Sequence, residues 1–406
     1  MQQIFHERSK MKKTAITTFT LILFAISFLP GQNNEANQAY IKAMTTANPD
    51  QKAQLLKEFL NNYSGKGSQY ENFANAELCL NPYRGKTPQE TIKYGEKALE
   101  LGGLDDLTKS RVLITLAGTY ISLGQNLSKA SNYASQVVQI AQANKGKESS
   151  PAPPAQWNQL IGGAYYAQGQ ALEKAKNLRD AVDAYINSYD ILKNKQIVKD
   201  LQRVGKSLYD GKAYKDAEKA LRIASSSLKD FVSLYLYANC LHKNGKTEDA
   251  LSHYKQAYMK QKNGKIAYNI GILMAKKANK NATFTDEALR YLLDAAFLSQ
   301  EHSKKAMQMA ESLFFHSNKD LRYNEKVQEI QQKNKNLEDL TNAFNEKFGE
   351  KNEEDLSDAE KKEMEKMLSQ IESEQESLKK LEADTKAALA EFQLLIDKTK
   401  QRLGIK

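Results

Sequence analysis

The stretch LYLYANCLHKNGKTEDALSHYKQAYMK, from Leu234 to Lys260, decides the fold of this chain. Leu234, Tyr237, Ala238 and Leu241 recur at helical spacing, and Ala250, Tyr254 and Ala257 do so again beyond Gly245. One apolar stripe on each of two helices, joined by a turn at Gly245, is the arrangement this spacing predicts. Gly245-Lys246-Thr247 also matches the last three letters of a phosphate-binding loop, as do Gly85-Lys86-Thr87 and Gly205-Lys206-Ser207. That loop needs a first glycine whose backbone can approach phosphate, and Cys240, Leu80 and Asp200 occupy those places. No strand pattern precedes any of the three, so no nucleotide site is expected.

The pattern repeats. Leu201, Val204, Gly205, Leu208, Tyr214, Ala217, Leu221 and Ala224 lie 33 residues earlier, and Ile270, Gly271 and Met274 lie 33 later. In the later unit Ala288, Leu292 and Ala295 follow a five-residue insertion. Small residues on the first helix and alanines on the second let two backbones approach, while Tyr254 fills the space beside them. This set resembles the tetratricopeptide repeat (TPR), which pairs W-x2-L-G-x2-Y with A-x3-F in about 34 residues. Upstream, Trp157, Leu160, Ala181, Tyr185 and Ser188 keep the landmarks with a longer interval, which predicts that both helices run a turn further. Leu113, Leu116, Ala117, Tyr120, Gly124, Ala130 and Val137 form another unit, followed by a proline-rich loop at NKGKESSPAPPAQ. Ile92 and Ala98 mark a second helix, AYIKAMTTANPDQKAQLLKEFLNNY reads as a helical pair, and the segment from His302 reads as a capping helix. The resemblance covers residues 70 to 318.

Beyond residue 319 the chain is highly charged, with apolar residues seven apart: Met364, Ile371, Leu378, Thr385 and Phe392, and three places on Met367, Leu381, Ala388 and Leu395. Such a seam suits a coiled coil. A second stripe, Ile330, Leu337, Leu340, Phe344 and Phe348, precedes a turn at 349–355, and Ser357 to Glu360 reads as a capping box. An antiparallel hairpin is expected here, with intermolecular pairing as the alternative. The fold class is therefore all-α: a TPR-like helical-hairpin solenoid over 32–318 and a long charged helical hairpin or coiled coil over 319–406. Because repeats contact only their neighbours, deletion of 319–406 is expected to leave the solenoid folded.

Residues 1–31 carry Lys12 and Lys13 before an uncharged apolar run, the pattern of a signal peptide with translation starting at Met1 or Met11. Export through the Sec pathway to the periplasm or medium is expected, with an uncleaved inner-membrane anchor as the alternative. Cys79 and Cys240 sit in apolar helical patterns and read as buried thiols. The chain carries a net charge of +10, residues 1–31 carry +3 and residues 319–406 carry −4, so the repeat region carries +11. A basic solenoid attracts acidic partners, and export argues against nucleic acid.

No H-E-x-x-H pair and no G-x-S-x-G elbow occurs, so neither enzyme activity nor a cofactor is expected. The TPR resemblance implies a concave groove lined by first helices that receives a peptide or protein. In the three clearest units it implies the groove positions Gln202, Lys206, Tyr209, Tyr235, Asn239, His242, Lys243, Tyr268 and Lys276. Lysine supplies point charges for carboxylates, tyrosine gives rigid contact area and asparagine can clamp a backbone. The expected ligand is an acidic segment or one ending in a free carboxylate. The expected function is a non-catalytic interaction scaffold of the bacterial cell envelope. The alternative is a spacer that self-associates through residues 319–406.

Overall fold

The computed structural model describes residues 33–405, so the expected leader at 1–31 lies outside the described residues. The described chain is helical and contains no strand. It divides into two compact units, the first ending at Ala167 and the second beginning at Gln168.

The first unit holds α1 (Asn33–Thr45), α2 (Pro49–Tyr63), α3 (Glu71–Leu80), α4 (Pro88–Leu101), α5 (Asp106–Leu123), α6 (Leu127–Asn144) and the start of α7 (Pro154–Lys174). Helix starts follow local chemistry. Asn48 accepts from the backbone of Asp50 and Gln51 ahead of Pro49, and Thr87 forms a capping box with Glu90 ahead of Pro88. Each helix packs on the next along α1 to α6, and Cys79, Leu113, Leu116 and Trp157 are buried. The proline-rich loop is only partly exposed, because Ala152 is buried and Ser150 Oγ accepts the Trp157 indole N–H at 2.6 Å.

The second unit continues from α7 with α8 (Leu178–Leu192), α9 (Lys195–Asp210), α10 (Tyr214–Leu228), α11 (Phe231–Lys243), α12 (Thr247–Lys260), α13 (Gly264–Ala278), α14 (Thr285–Leu298), α15 (Ser303–Ser317), α16 (Tyr323–Phe348) and α17 (Asp358–Leu403). Pairs α9/α10, α11/α12 and α13/α14 pack as hairpins, and each second helix also packs on the first helix of the next pair. The small positions are required for this. A Cβ on Gly205 would meet Leu221 at 2.8 Å, and one on Gly271 would meet Leu292 at 2.8 Å. Ala238, at the same place in α11, has 0 % exposure.

Gly245 recurs where it does because the chain must turn there with a left-handed backbone. Its φ is 81°, and Lys212 and Lys176 hold the same place in the two preceding turns at 62° and 66°. Gly85 also has a positive φ, 76°, whereas Gly205 lies inside α9. The three phosphate-loop look-alikes are thus two turns and one packing site.

Two expectations need correction. The extra length of the Trp157 unit lies wholly in α7, which has 21 residues, while α8 has 15 like α10. The C-terminal segment is not independent of the repeats. Helices α16 and α17 do form an antiparallel hairpin, seen in the pairs Lys347–Glu363, Lys333–Glu374 and Lys326–Asp384. The capping box at Ser357 and Glu360 starts the second arm. With 46 residues against 26, α17 outruns α16, and its last turns pack on α14. Phe392 lies 5.2 Å from Phe314 and 6.0 Å from Phe315, ring centre to ring centre. Arg402 pairs with Asp294, whose exposure is 0 %, and Tyr258 Oη donates to the same carboxylate at 2.7 Å.

Candidate functional site

Among the first helices of the second unit, α9 touches α11 and α13 touches α15. Asx residues set their starts. Asn194, Asp230 and Asn263 stand before α9, α11 and α13 and accept from backbone N–H groups of the first turn.

The structure brings several sequence-chosen residues together. Tyr235 stacks on Phe231 and lies 6.3 Å from the Tyr254 ring, and His242 meets Tyr254 edge-on at 6.2 Å. Tyr254 Oη donates to Asn239 Oδ1 at 2.7 Å. Burial pushes the Tyr254 hydroxyl far up and, with Tyr235 and Tyr214 nearby, pushes Tyr209 up to about 12. These hydroxyls are therefore hydrogen-bonding groups and not anions near neutral pH. Burial lowers the His242 pKa first, and Lys243 and Lys276 lower it further, so the imidazole is neutral above its depressed value. Lys243 and Lys276 are exposed.

Other chosen residues already have work within the chain. Gln202 donates to Asp230 and Ser233 and braces the start of α11. Lys206 pairs with Asp210 at 2.6 Å, one helical turn on. Asn239 is buried, with its oxygen taken by Tyr254.

Tyr268 lies apart from the Tyr235 group and stacks on His302 at 4.4 Å. It opens onto a cleft of about 650 Å³ between α13 and α15. Ala275, Met309 and Leu313 give the cleft an apolar lining, and Lys305, Gln308 and His316 supply polar groups with no carboxylate among the lining residues. Sequence reasoning assigned α15 to capping and so missed Lys305, Gln308, Met309 and His316. The available signal was the alternation of Lys305, Gln308 and Ser312 with buried Ala306 and Ala310, which marks a helix with a second, open face.

Among the described residues, no group of His, Cys, Asp and Glu is arranged to hold a metal ion, and no helix is long and apolar enough to cross a membrane. Cys79 and Cys240 are buried thiols, and burial pushes both up to about 12.

No protein-family model matches the chain, and no curated protein matches it. Among solved structures it is similar to YrrB, a TPR protein with an unusual peptide-binding site, at 19 % identity over 54 % of this chain and 97 % of that one, TM-score 0.31. It is also similar to a TPR protein of Parabacteroides merdae, at 14 % identity over 69 % and 98 %, TM-score 0.33. A third likeness is to the TPR2AB domain of yeast Sti1 in its Hsp90 complex, at 15 % identity over 60 % and 98 %, TM-score 0.24. These are distant likenesses, and the helical-hairpin fold stands on the chain's own packing.

Proposed function

We propose that the protein is a non-catalytic interaction scaffold that holds a peptide segment of a partner protein against the first helices of the second unit. The cleft between α13 and α15 carries this reading: an apolar lining with a cationic and amide rim is what an extended peptide with an acidic group and one apolar side chain requires. Tyr209 on α9, Tyr235, His242 and Lys243 on α11 and Lys276 on α13 are further contacts that this reading assigns to the same segment. Lys305, with no carboxylate among the residues lining the cleft, favours an acidic segment or a free C-terminal carboxylate. An exported, cell-envelope location belongs to the same reading and rests on the apolar run in residues 1–31. The reading includes self-association through the C-terminal hairpin as a second role.

The test is fluorescence anisotropy with acidic peptides bearing free or amidated C-termini, on the parent chain and on a Lys243→Glu, Lys305→Glu variant. The proposal expects binding that weakens at least several-fold in the variant and with rising salt. Binding unchanged by the variant, or no binding by any peptide of the panel, overturns it.

A further inference from the structure

A different face of the second unit holds a cleft of about 380 Å³, lined by Arg222, Lys229, Tyr237, His253, Met259 and Lys260 among others. It is built from the second helices α10 and α12, with α11 between them contributing Tyr237. Met259 is 84 % exposed, and Val232 at the start of α11 is 46 % exposed. Methionine at that exposure costs the folded chain an apolar surface with no internal return. The cations beside it are equally unspent. Arg222, Lys229 and Lys260 have no ion-pair partner among the described residues, although neighbouring Lys219, Lys246 and Lys255 each pair with a carboxylate.

The same chain carries the matching surface. On α17, Glu365, Leu368, Glu372 and Glu376 are exposed and fall on one helical face, at spacings of three and four. Leu368 is 39 % exposed, and the three glutamates have no ion-pair partner among the described residues. Glu363 and Glu374 on the same helix are held by Lys347 and Lys333. An apolar side chain ringed by carboxylates on one helix thus answers an apolar floor ringed by cations.

We propose that this cleft receives helix α17 of a second copy of the chain, with Leu368 seated on Met259 and Tyr237 and with Glu365 and Glu372 facing Arg222, Lys229 and Lys260. The inference rests on the hairpin's part in the proposed function and not on the peptide cleft between α13 and α15. The two patches differ, so the contact is head-to-tail unless a two-fold axis makes it twice. One helix face on one cleft is a small interface, so association is weak and strongly salt-dependent.

Sedimentation velocity on the full-length chain tests this at low and high salt. The parent chain should self-associate at low salt, with an affinity falling by about tenfold or more at high salt. Arg222→Glu with Lys229→Glu, or Glu365→Lys with Glu372→Lys, should weaken association by about tenfold or more at low salt while leaving the circular dichroism spectrum unchanged. Mixing the two variants should restore it, because each reversed surface then meets its reversed counterpart. A parent chain that stays monomeric at high concentration, charge reversals that leave association intact, or a mixture that fails to recover would each overturn the proposal. Acidic-peptide binding is measured on the same variants. Its loss in the parent chain sinks the groove reading alone, because self-association uses other residues.

Discussion

Replacing Arg402 by alanine should loosen the end of the second unit and leave the first unit untouched. Asp294 has 0 % exposure and receives Tyr258 Oη at 2.7 Å, Arg402 Nη1 at 3.1 Å and Arg402 Nη2. Removing the guanidinium leaves a buried carboxylate with one hydroxyl donor. Breaking a fully buried pair costs about 3–5 kcal/mol. The Arg402 side chain is 34 % exposed, so solvent screens part of the attraction, and about 2–3 kcal/mol is the working figure. That corresponds to roughly 30- to 150-fold more frequent local opening. Hydrogen exchange followed by mass spectrometry reads it directly: peptides from α14, α15 and the last turns of α17 should lose protection, and those from α1 to α6 should not. Asp294→Leu combined with Arg402→Leu should recover much of the loss, because the stranded charge is gone. Protection of α14 and α15 that is the same in Arg402→Ala as in the parent would mean that the Arg402–Asp294 pair does not hold this end of the unit together.

Deleting residues 319–406 should destabilise α14 and α15, since Phe314, Phe315 and Asp294 lose their cover, with exchange in α9 to α11 as the internal control. Ala238→Leu should cost about 1–3 kcal/mol in urea denaturation by overpacking a site of 0 % exposure. Gly264→Ala should cost at least as much, because its Cβ would lie 2.4 Å from the backbone carbon of Leu298, which cannot move aside as a side chain can. Acid should act on the first unit through Glu96. Burial alone would raise its carboxyl, but hydrogen bonds from Lys129, Tyr133 and Tyr120 outweigh burial and hold it below the ordinary 4.5. A depressed folded-state value means stabilisation that is full above 4.5 and drains away as pH falls through the lower value. Thermal unfolding followed by Trp157 fluorescence should therefore show Glu96→Gln and the parent converging as pH falls from 4.5 through the lower value, and a constant gap between them would rule the idea out.

The repeat was legible in the sequence because its signals are local. A 33-residue period, a small residue at Gly205, Ala238 and Gly271, and a left-handed turn at Gly245 each act within one hairpin. The capping box at Ser357 is a four-residue signal of the same kind. Docking of α17 was not legible, because Arg402 and Asp294 are 108 residues apart and each alone reads as a surface charge. Of the candidate site, the residue types were legible and their commitments only partly so. The Lys206–Asp210 pair is an i, i+4 spacing visible in the sequence. The bracing of α11 by Gln202 and the burial of Asn239 depend on how the pairs α9/α10 and α11/α12 stack.

The claim that a partner lies against the first helices of the second unit is tested most directly by locating a bound acidic peptide. A photo-reactive residue placed at Gln308 in the α13–α15 cleft, at Lys219 on α10, or at Leu368 on α17 gives three reporters in otherwise identical chains. The peptide should crosslink from position 308, unlabelled peptide should compete this away, and position 219 should stay silent. Crosslinking from 219 or 368 with none from 308 would contradict that claim.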